Sequence, residues 1–163
     1  METRITGTPP PKGDARTTVY RVTTAETQEF VIYSKSIFGQ IIHWYGGRSH
    51  ECTREWKACN GCQRSWPEKW LGYVHCFNTH RDEVCFLELT KTACNLLLRQ
   101  AEPDQPLRGL RVRINKTKGG PKGRYMIATC FPRMREELLR EEADPKPVLQ
   151  FLWNCKNQHS PKV

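Results

Sequence analysis

Three cysteines fall within eleven residues of a polar, turn-rich segment, HECTREWKACNGCQRS, and they restrict how this part of the chain can fold. Cys59 and Cys62 are two residues apart, and Gly61 between them suits a tight turn that brings two thiolates onto one ion. Cys52, seven residues earlier, can supply a third ligand. Tetrahedral zinc sites commonly use Cys₃His or Cys₄ sets with such local pairing. The segment therefore predicts a structural Zn²⁺ site.

The fourth ligand has several candidates. His43 ends the first long strand pattern, and His50 lies two residues before Cys52. His75 and Cys76 lie on the strand that returns from the segment. We favour His43, because a rigid strand end can hold an imidazole over a loop that folds back, and His50 is its main rival. A redox function for the Cys-x-x-Cys pair is disfavoured because no βαβ pattern surrounds it.

No catalytic motif accompanies these ligands. A zinc deaminase needs H-x-E followed by P-C-x-x-C, whereas here Glu51 directly follows His50 and Ala58 precedes the cysteine pair. The chain also contains no HExxH, no P-loop and no GxSxG motif. We therefore expect a protein that is not an enzyme.

The N-terminal sequence METRITGTPPPKGDARTT lacks the apolar core of a secretory signal. No apolar run approaches the roughly 20 residues that a membrane-spanning helix needs. We therefore expect a cytoplasmic protein, in a nucleoid, phage or mobile-element setting, with no membrane partner. In that compartment the eight cysteines are expected to be reduced or metal-bound rather than disulfide-bonded.

Strand patterns flank the cysteine segment. FVIYSKSIFGQIIHWY precedes it, with a bulge or bend predicted at Gly39, and LGYVHCFN and EVCFLELT follow it. Thr90 predicts the N-cap of a helix, KTACNLLLRQA. LRGLRVRINK and RYMIATC then predict a hairpin around KGGPKG. This order predicts a mainly β fold with short helices, namely a five-stranded OB-like Greek-key barrel with a zinc-bearing insertion between strands 1 and 2.

The chain divides into three predicted parts. Residues 1–17 are proline-rich with almost nothing apolar, and they predict a disordered arm. Residues 18–131 form the predicted barrel, with the zinc loop at 46–70. Residues 132–163 form a predicted C-terminal helical extension and tail, which includes a charged helix, MREELLREEA, and the apolar VLQFLW.

Positive charge is concentrated in the predicted hairpin, where residues 108–124 include seven cationic side chains and no acidic one, in a chain of net charge +9. Arg111 and Arg113 project from the strand face opposite the apolar side chains, and the lysines lie on an exposed loop. A solvated face usually mixes signs, whereas a stripe of one sign attracts a polyanion. The predicted nucleic-acid contacts are Arg111, Arg113, Lys116, Lys118, Lys122 and Arg124.

Aromatic residues alternate with cations in the predicted zinc loop. Exposed rings beside a basic groove hold single strands by stacking on their bases. We predict that at least one of Trp56, Trp66 and Trp70 contacts the ligand. Arg48 and Arg64, which alternate with these rings, are also predicted nucleic-acid contacts.

His43, Cys52 and the Cys59–Cys62 pair, on an insertion between the first long strand and an aromatic-rich return (WLGYVHCF), resemble the zinc-containing single-stranded DNA-binding proteins of tailed phages over about residues 30–90. The resemblance implies an OB fold that binds single-stranded DNA, and it implies that these four residues are the zinc ligands. The ligand spacings here are shorter, the chain is smaller, and no acidic C-terminal tail is visible. Cooperative filament formation and partner recruitment therefore do not carry over.

These features together predict a non-enzymatic protein that binds single-stranded nucleic acid, DNA in preference to RNA, in DNA replication or recombination. One alternative is an RNA- or ribosome-associated accessory protein on a similar barrel. Another is a zinc-bearing adaptor whose basic face meets an acidic protein.

Overall fold

A computed structural model describes residues 18–150, apart from 24, 47, 56, 121 and 131. The predicted N-terminal arm and residues 151–163 lie outside the described residues. The strands are β1 (Thr18–Tyr20), β2 (Gln28–Ile32), β3 (Phe38–Tyr45), β4 (Arg48–Glu51), β5 (Glu68–Asn78), β6 (Glu83–Thr90), β7 (Arg111–Lys116) and β8 (Tyr125–Thr129). The helices are α1 (Asn60–Gln63), α2 (Lys91–Gln100) and a 3₁₀ turn, Glu136–Leu138.

One mixed sheet contains these strands in the order β1-β6-β5-β2-β7-β8, and β3 bridges β5 and β4. β5 is 11 residues long, so it pairs first with β3 and then with β2 along the same edge. β1 pairs in parallel with β6, and the other strand pairs are antiparallel. The mainly β fold with short helices is confirmed. A closed barrel of five strands is not confirmed, because the sheet of the described residues is open and contains eight strands.

The long first strand of the prediction is split into β2 and β3. The break lies at residues 33–37, where the N–H groups of Tyr33 and Ser34 both donate to the carbonyl of His75, at 2.8 and 3.2 Å. Two successive residues facing one partner residue is the pattern of a β-bulge. The bend predicted at Gly39 is therefore misplaced, since Gly39 lies within β3.

Polar side chains close a turn and cap a helix at the two ends of β6. The Asn78 side-chain oxygen accepts hydrogen bonds from the N–H groups of His80 and Arg81, at 3.0 and 3.2 Å, which closes the polar turn between β5 and β6. The Thr90 hydroxyl accepts a hydrogen bond from the N–H of Ala93 at 3.3 Å, which caps α2 as predicted. These side chains satisfy backbone donors that have no partner within a regular element.

The main core lies on one face of the sheet, which we call the inner face, and α2 packs against it. Alternate residues of β5 point to the opposite, outer face, where Leu71 and Tyr73 form a second buried cluster with Ile42 and Leu149. The largest fully buried side chains of the main core are Phe30, Ile32, Leu87, Leu89, Leu97 and Ile114 on the strands and on α2. Both faces of β5 are therefore covered.

The C-terminal segment provides the cover of the outer face, but not as the predicted charged helix. Within residues 134–143 only the 3₁₀ turn forms, with Leu138 66% exposed, because this stretch has no apolar face to bury. Residues 145–150 are helical and bury Val148 and Leu149. No helix in the described part of the chain is long and apolar enough to cross a membrane.

Candidate metal centre and adjoining surfaces

The structure brings together the four predicted metal ligands. His43 comes from β3, Cys52 follows β4, Cys59 is the N-cap of α1, and Cys62 lies within α1. Their ligand atoms all lie within 4.8 Å of one another, and Cys62 Sγ lies 3.5 Å from both Cys52 Sγ and His43 Nε2. The bond lengths of tetrahedral zinc place ligand atoms about 3.5–3.8 Å apart. The cysteines of the described residues form no disulfide, so this cluster could hold a metal ion.

The His43 ring is oriented for ligation. Its Nδ1 lies 3.0 Å from the carbonyl oxygen of Trp66 and 3.3 Å from that of Pro67. A carbonyl only accepts, so Nδ1 carries the proton and donates, and Nε2 presents its lone pair towards Cys62. Metal-ligating histidines nearly always have such a partner on the second nitrogen. The ring is only 1% exposed, which fixes this orientation.

Gly61 makes room for this ring. A Cβ at position 61 would lie 2.2 Å from His43 Cγ and 2.3 Å from Cδ2. The sequence predicted a glycine that allows a tight turn. The structure shows a glycine that allows α1 to approach the imidazole, because its φ lies outside the left-handed region.

The pKa values of two thiols of the cluster, Cys59 and Cys62, are shifted in opposite directions. Burial opposes ionisation of Cys59, but the backbone N–H groups of Cys62, Thr53 and Gly61 and the Cys62 thiol stabilise the thiolate and lower the pKa of Cys59 to about 7. The hydrogen bond with Cys52, together with burial, raises the pKa of Cys62 to about 12. A divalent cation would stabilise all the cysteines of the cluster as thiolates, because it binds thiolates and releases their protons.

His50, the rival fourth ligand, lies outside the cluster. Its Nε2 lies 3.1 Å from the carbonyl oxygen of Tyr45, and its ring stacks on Tyr45 with centroids 3.7 Å apart and planes 3° apart. Trp66 lies against Tyr45 at 4.2 Å, and the guanidinium of Arg64 lies 5.0 Å from the centre of the Trp66 ring. We call these four side chains the aromatic stack. The Trp66 carbonyl accepts the hydrogen bond from His43, so Trp66 connects the stack to the cluster.

The other tryptophan and arginine residues predicted to contact nucleic acid lie in different environments. Trp70 is half-buried against the main core, whereas Trp56 and the side chain of Arg48 lie outside the described residues. Trp44, which was not among the predicted contacts, is 51% exposed, with the guanidinium of Arg21 at 5.7 Å from its ring. The sequence feature that could have indicated an exposed Trp44 ring is its position at the end of β3, two residues before Gly46.

The alternation of β7 is confirmed. Val112 and Ile114 are fully buried, whereas Arg113 is exposed and its Nε donates to Glu29 at 2.8 Å. Arg111 is half-buried on the same face as Arg113. This arginine face therefore includes an acidic neighbour, Glu29, that lies far away in sequence.

Lys116 does not lie on the exposed loop as predicted. It continues the inward alternation of β7, so its side chain is buried, and Nζ donates to the carbonyl of Gly120 at 3.1 Å. Nζ also lies 4.9 Å from the centre of the Tyr125 ring. Burial, followed by the nearby charge of Arg21, lowers the pKa of Lys116.

The remaining cations of the predicted stripe form an exposed cluster, which we call the hairpin tip: Lys118, Lys122 and Arg124. The ion pairs found among the described residues involve none of these three side chains. A cluster of one sign without acidic partners keeps its full attraction for an anion.

The outer face of β5 and β6 is occupied by other parts of the chain. Tyr73 donates to Glu88 Oε2 at 2.9 Å, and Arg21 Nε donates to Glu88 Oε1 at 2.7 Å. The N–H of Ala143 donates to His75 Nδ1 at 3.1 Å. Residues of the C-terminal segment therefore cover part of this face.

Comparison of the chain with protein-family models, curated proteins and solved structures gives no match. The resemblance to the phage proteins therefore stays a prediction. What the site can do is inferred below from its own geometry.

Proposed function

We propose that the protein is a non-enzymatic single-stranded nucleic-acid-binding protein, with DNA favoured over RNA, whose first loop is held by a structural Zn²⁺. Three thiolates and one imidazole are a donor set that suits zinc. Four protein ligands fill a tetrahedral shell, so no coordination position is left for a substrate. The cluster thus supports a structural ion and gives no support to metal catalysis.

We also propose that the fold is of the OB type. β2 with β3, then β5, β6, α2, β7 and β8 follow in the chain order of that fold, with a helix between the third and fourth strands. The metal cluster then lies in the loop that joins strands 1 and 2, and the hairpin tip lies in the loop that joins strands 4 and 5. Both loops contact ligands in OB folds.

The hairpin tip is the observation that carries the proposal. Its three exposed cations are not neutralised by an acidic side chain in any ion pair of the described residues. Because the C-terminal segment packs on the outer face of β5, the loops are the more accessible surface for a nucleic-acid strand. Cationic loops that follow a backbone, with aromatic rings nearby, are typical of single-strand binding.

The test is a salt titration of binding to a labelled oligo(dT) and to a duplex of equal length. We expect preference for the single strand, and a shallower slope of log K against log[salt], by about 2, when the three tip cations become glutamine. The matched control converts three exposed cations on other elements, Lys35, Arg99 and Lys146, to glutamine. It removes equal net charge and should leave the slope within about one phosphate contact of the wild-type value.

Each alternative has its own outcome in the same assay. Preference for poly(U) over poly(dT) would favour the RNA-associated protein. Failure of both polymers to bind would favour the adaptor for an acidic protein. Equal affinities and equal slopes of wild type and tip variant would remove the main support for nucleic-acid binding.

A further inference from the structure

A groove of about 650 Å³ lies between β3, β5 and α2, beside the metal cluster. Its apolar surface comes from Ile37, Ile41, Trp70 and Leu98. The volume lies within the usual range for sites that bind small molecules. None of the residues that line the groove belongs to the hairpin tip.

Two glycines shape the wall formed by Trp70. A Cβ on Gly39 would lie 2.6 Å from the Trp70 ring, and one on Gly72 would lie 3.0 Å from its Cη2 atom. The indole therefore lies directly against bare backbone of β3 and β5. It also packs against the main core, so the wall is rigid. A fixed, flat aromatic surface in an apolar groove suits a planar ligand.

Three of the four charged or amide side chains that line the groove complement a nucleotide, and the fourth is the carboxylate of Glu68. Arg54 and Lys91 place two cations at the lining, and Asn95 adds an amide that both donates and accepts. Arg54 is 65% exposed and lies 3.7 Å from Glu68, so its ion pair is largely solvated and weak. Cations meet phosphates, and an Asn side chain can hydrogen-bond a base edge.

We propose that this groove holds one unstacked base of the bound single strand against Trp70, with the flanking phosphates at Arg54 and Lys91. The inference rests on the proposed function and adds the place where a base is held. It makes binding depend on the bases as well as on the phosphate charge.

The experiment compares oligo(dT) with a strand of equal length whose residues are abasic. Wild type should bind oligo(dT) about tenfold more tightly than the abasic strand, since stacking requires a base. Leu98→Glu should reduce this preference to less than twofold. Leu98 is 50% exposed on α2, so the variant folds, as circular dichroism would verify. Leu138→Glu, at a leucine that is 66% exposed outside the groove, is the matched control and should keep the wild-type preference.

A second measurement locates the base directly. Irradiation of a strand that contains 5-iodouracil should cross-link Trp70, within the tryptic peptide 70–81, and Leu98→Glu should abolish this adduct. Cross-links confined to other peptides would overturn the inference.

The outcomes separate the groove from the function. If wild type binds both strands alike while the tip variant loses affinity, the inference fails and the proposed function stands; the groove then takes another occupant, such as an apolar peptide. An unchanged preference in Leu98→Glu overturns the inference in the same way. If wild type binds neither strand, the inference and the proposed function both fail.

Discussion

Gly61→Ala tests the geometry of the metal cluster with a single added methyl group. In an ordinary helix the change stabilises by about 0.5–1 kcal/mol, because alanine loses less backbone freedom than glycine. Here the new Cβ would lie 2.2 Å from His43 Cγ, and ordinary van der Waals contact begins at 3.4 Å. The imidazole would therefore have to move by about 1.2 Å, the difference between these two distances.

The ring cannot move that far and remain a ligand. It is 1% exposed and its Nδ1 donates to the Trp66 carbonyl at 3.0 Å, while metal–ligand distances tolerate only about 0.2 Å. Loss of a hydrogen bond to a metal ligand alone costs about 10–100-fold in metal affinity, so displacing a ligand should cost at least about 100-fold, or about 2.7 kcal/mol. Overpacking adds about 1–3 kcal/mol. The metal-loaded protein should thus lose about 3–5 kcal/mol, and the metal-free protein only about 1–2 kcal/mol.

The measurement is a competition titration with a chromophoric zinc chelator, followed by urea unfolding with and without metal. Gly119→Ala is the matched control, because its Cβ would meet the nearest atom, the Thr23 carbonyl oxygen, at an ordinary 3.5 Å and its φ lies outside the left-handed region. It should change stability by less than about 0.5 kcal/mol. Zinc affinity of Gly61→Ala within twofold of wild type would refute the assigned role of His43 and the geometry of the cluster.

His43→Ala should release the metal, whereas His50→Ala should retain it because that ring lies outside the cluster; elemental analysis decides, and equal loss in both variants would contradict the assignment. Burial raises the pKa of the Cys76 thiol well above its usual value, so native protein should protect it from iodoacetamide at pH 8, and labelling at the rate of the urea-unfolded chain would show that the site opens. Burial also raises the pKa of Tyr73, so above about pH 10 the unfolded chain loses a proton that the native state keeps, and stability falls as pH rises. Tyr73→Phe should make that fall shallower in urea unfolding between pH 9 and 11, and parallel curves would contradict it.

The metal cluster could be predicted from the sequence because its chemistry is local. Two cysteines in one turn, a third nearby and a histidine at a strand end leave few arrangements. The choice between His43 and His50 was harder, since the two face each other across the β3–β4 pair. What separates them is the carbonyl of Trp66, which orients one ring, and the stacking of Tyr45 on the other. Both are tertiary contacts without a periodic signal.

Strand alternation was informative for the same reason, because the period of two is a local signal. The period of two that placed Arg113 outside and Ile114 inside also places Lys116 inside, where a carbonyl and an aromatic ring accept the ammonium. Charge composition alone had placed this lysine on a loop. The parallel pairing of β1 with β6 joins residues more than sixty positions apart, as in Thr18 with Cys85, and no local pattern encodes it. Sheet closure and strand count depend on such pairs.

The position of the metal cluster explains how an ion that does not contact the nucleic acid would shape two surfaces. The chain between Cys52 and Cys59 includes Arg54, which lines the groove, in a left-handed conformation with φ of 56°. The chain just after Cys62 leads to Trp66, whose carbonyl orients His43 and whose ring belongs to the aromatic stack. A short loop with little apolar surface cannot fix these side chains by burial, and four metal bonds can. The Zn²⁺ proposed for this first loop would therefore take the structural role that the core takes elsewhere in the sheet.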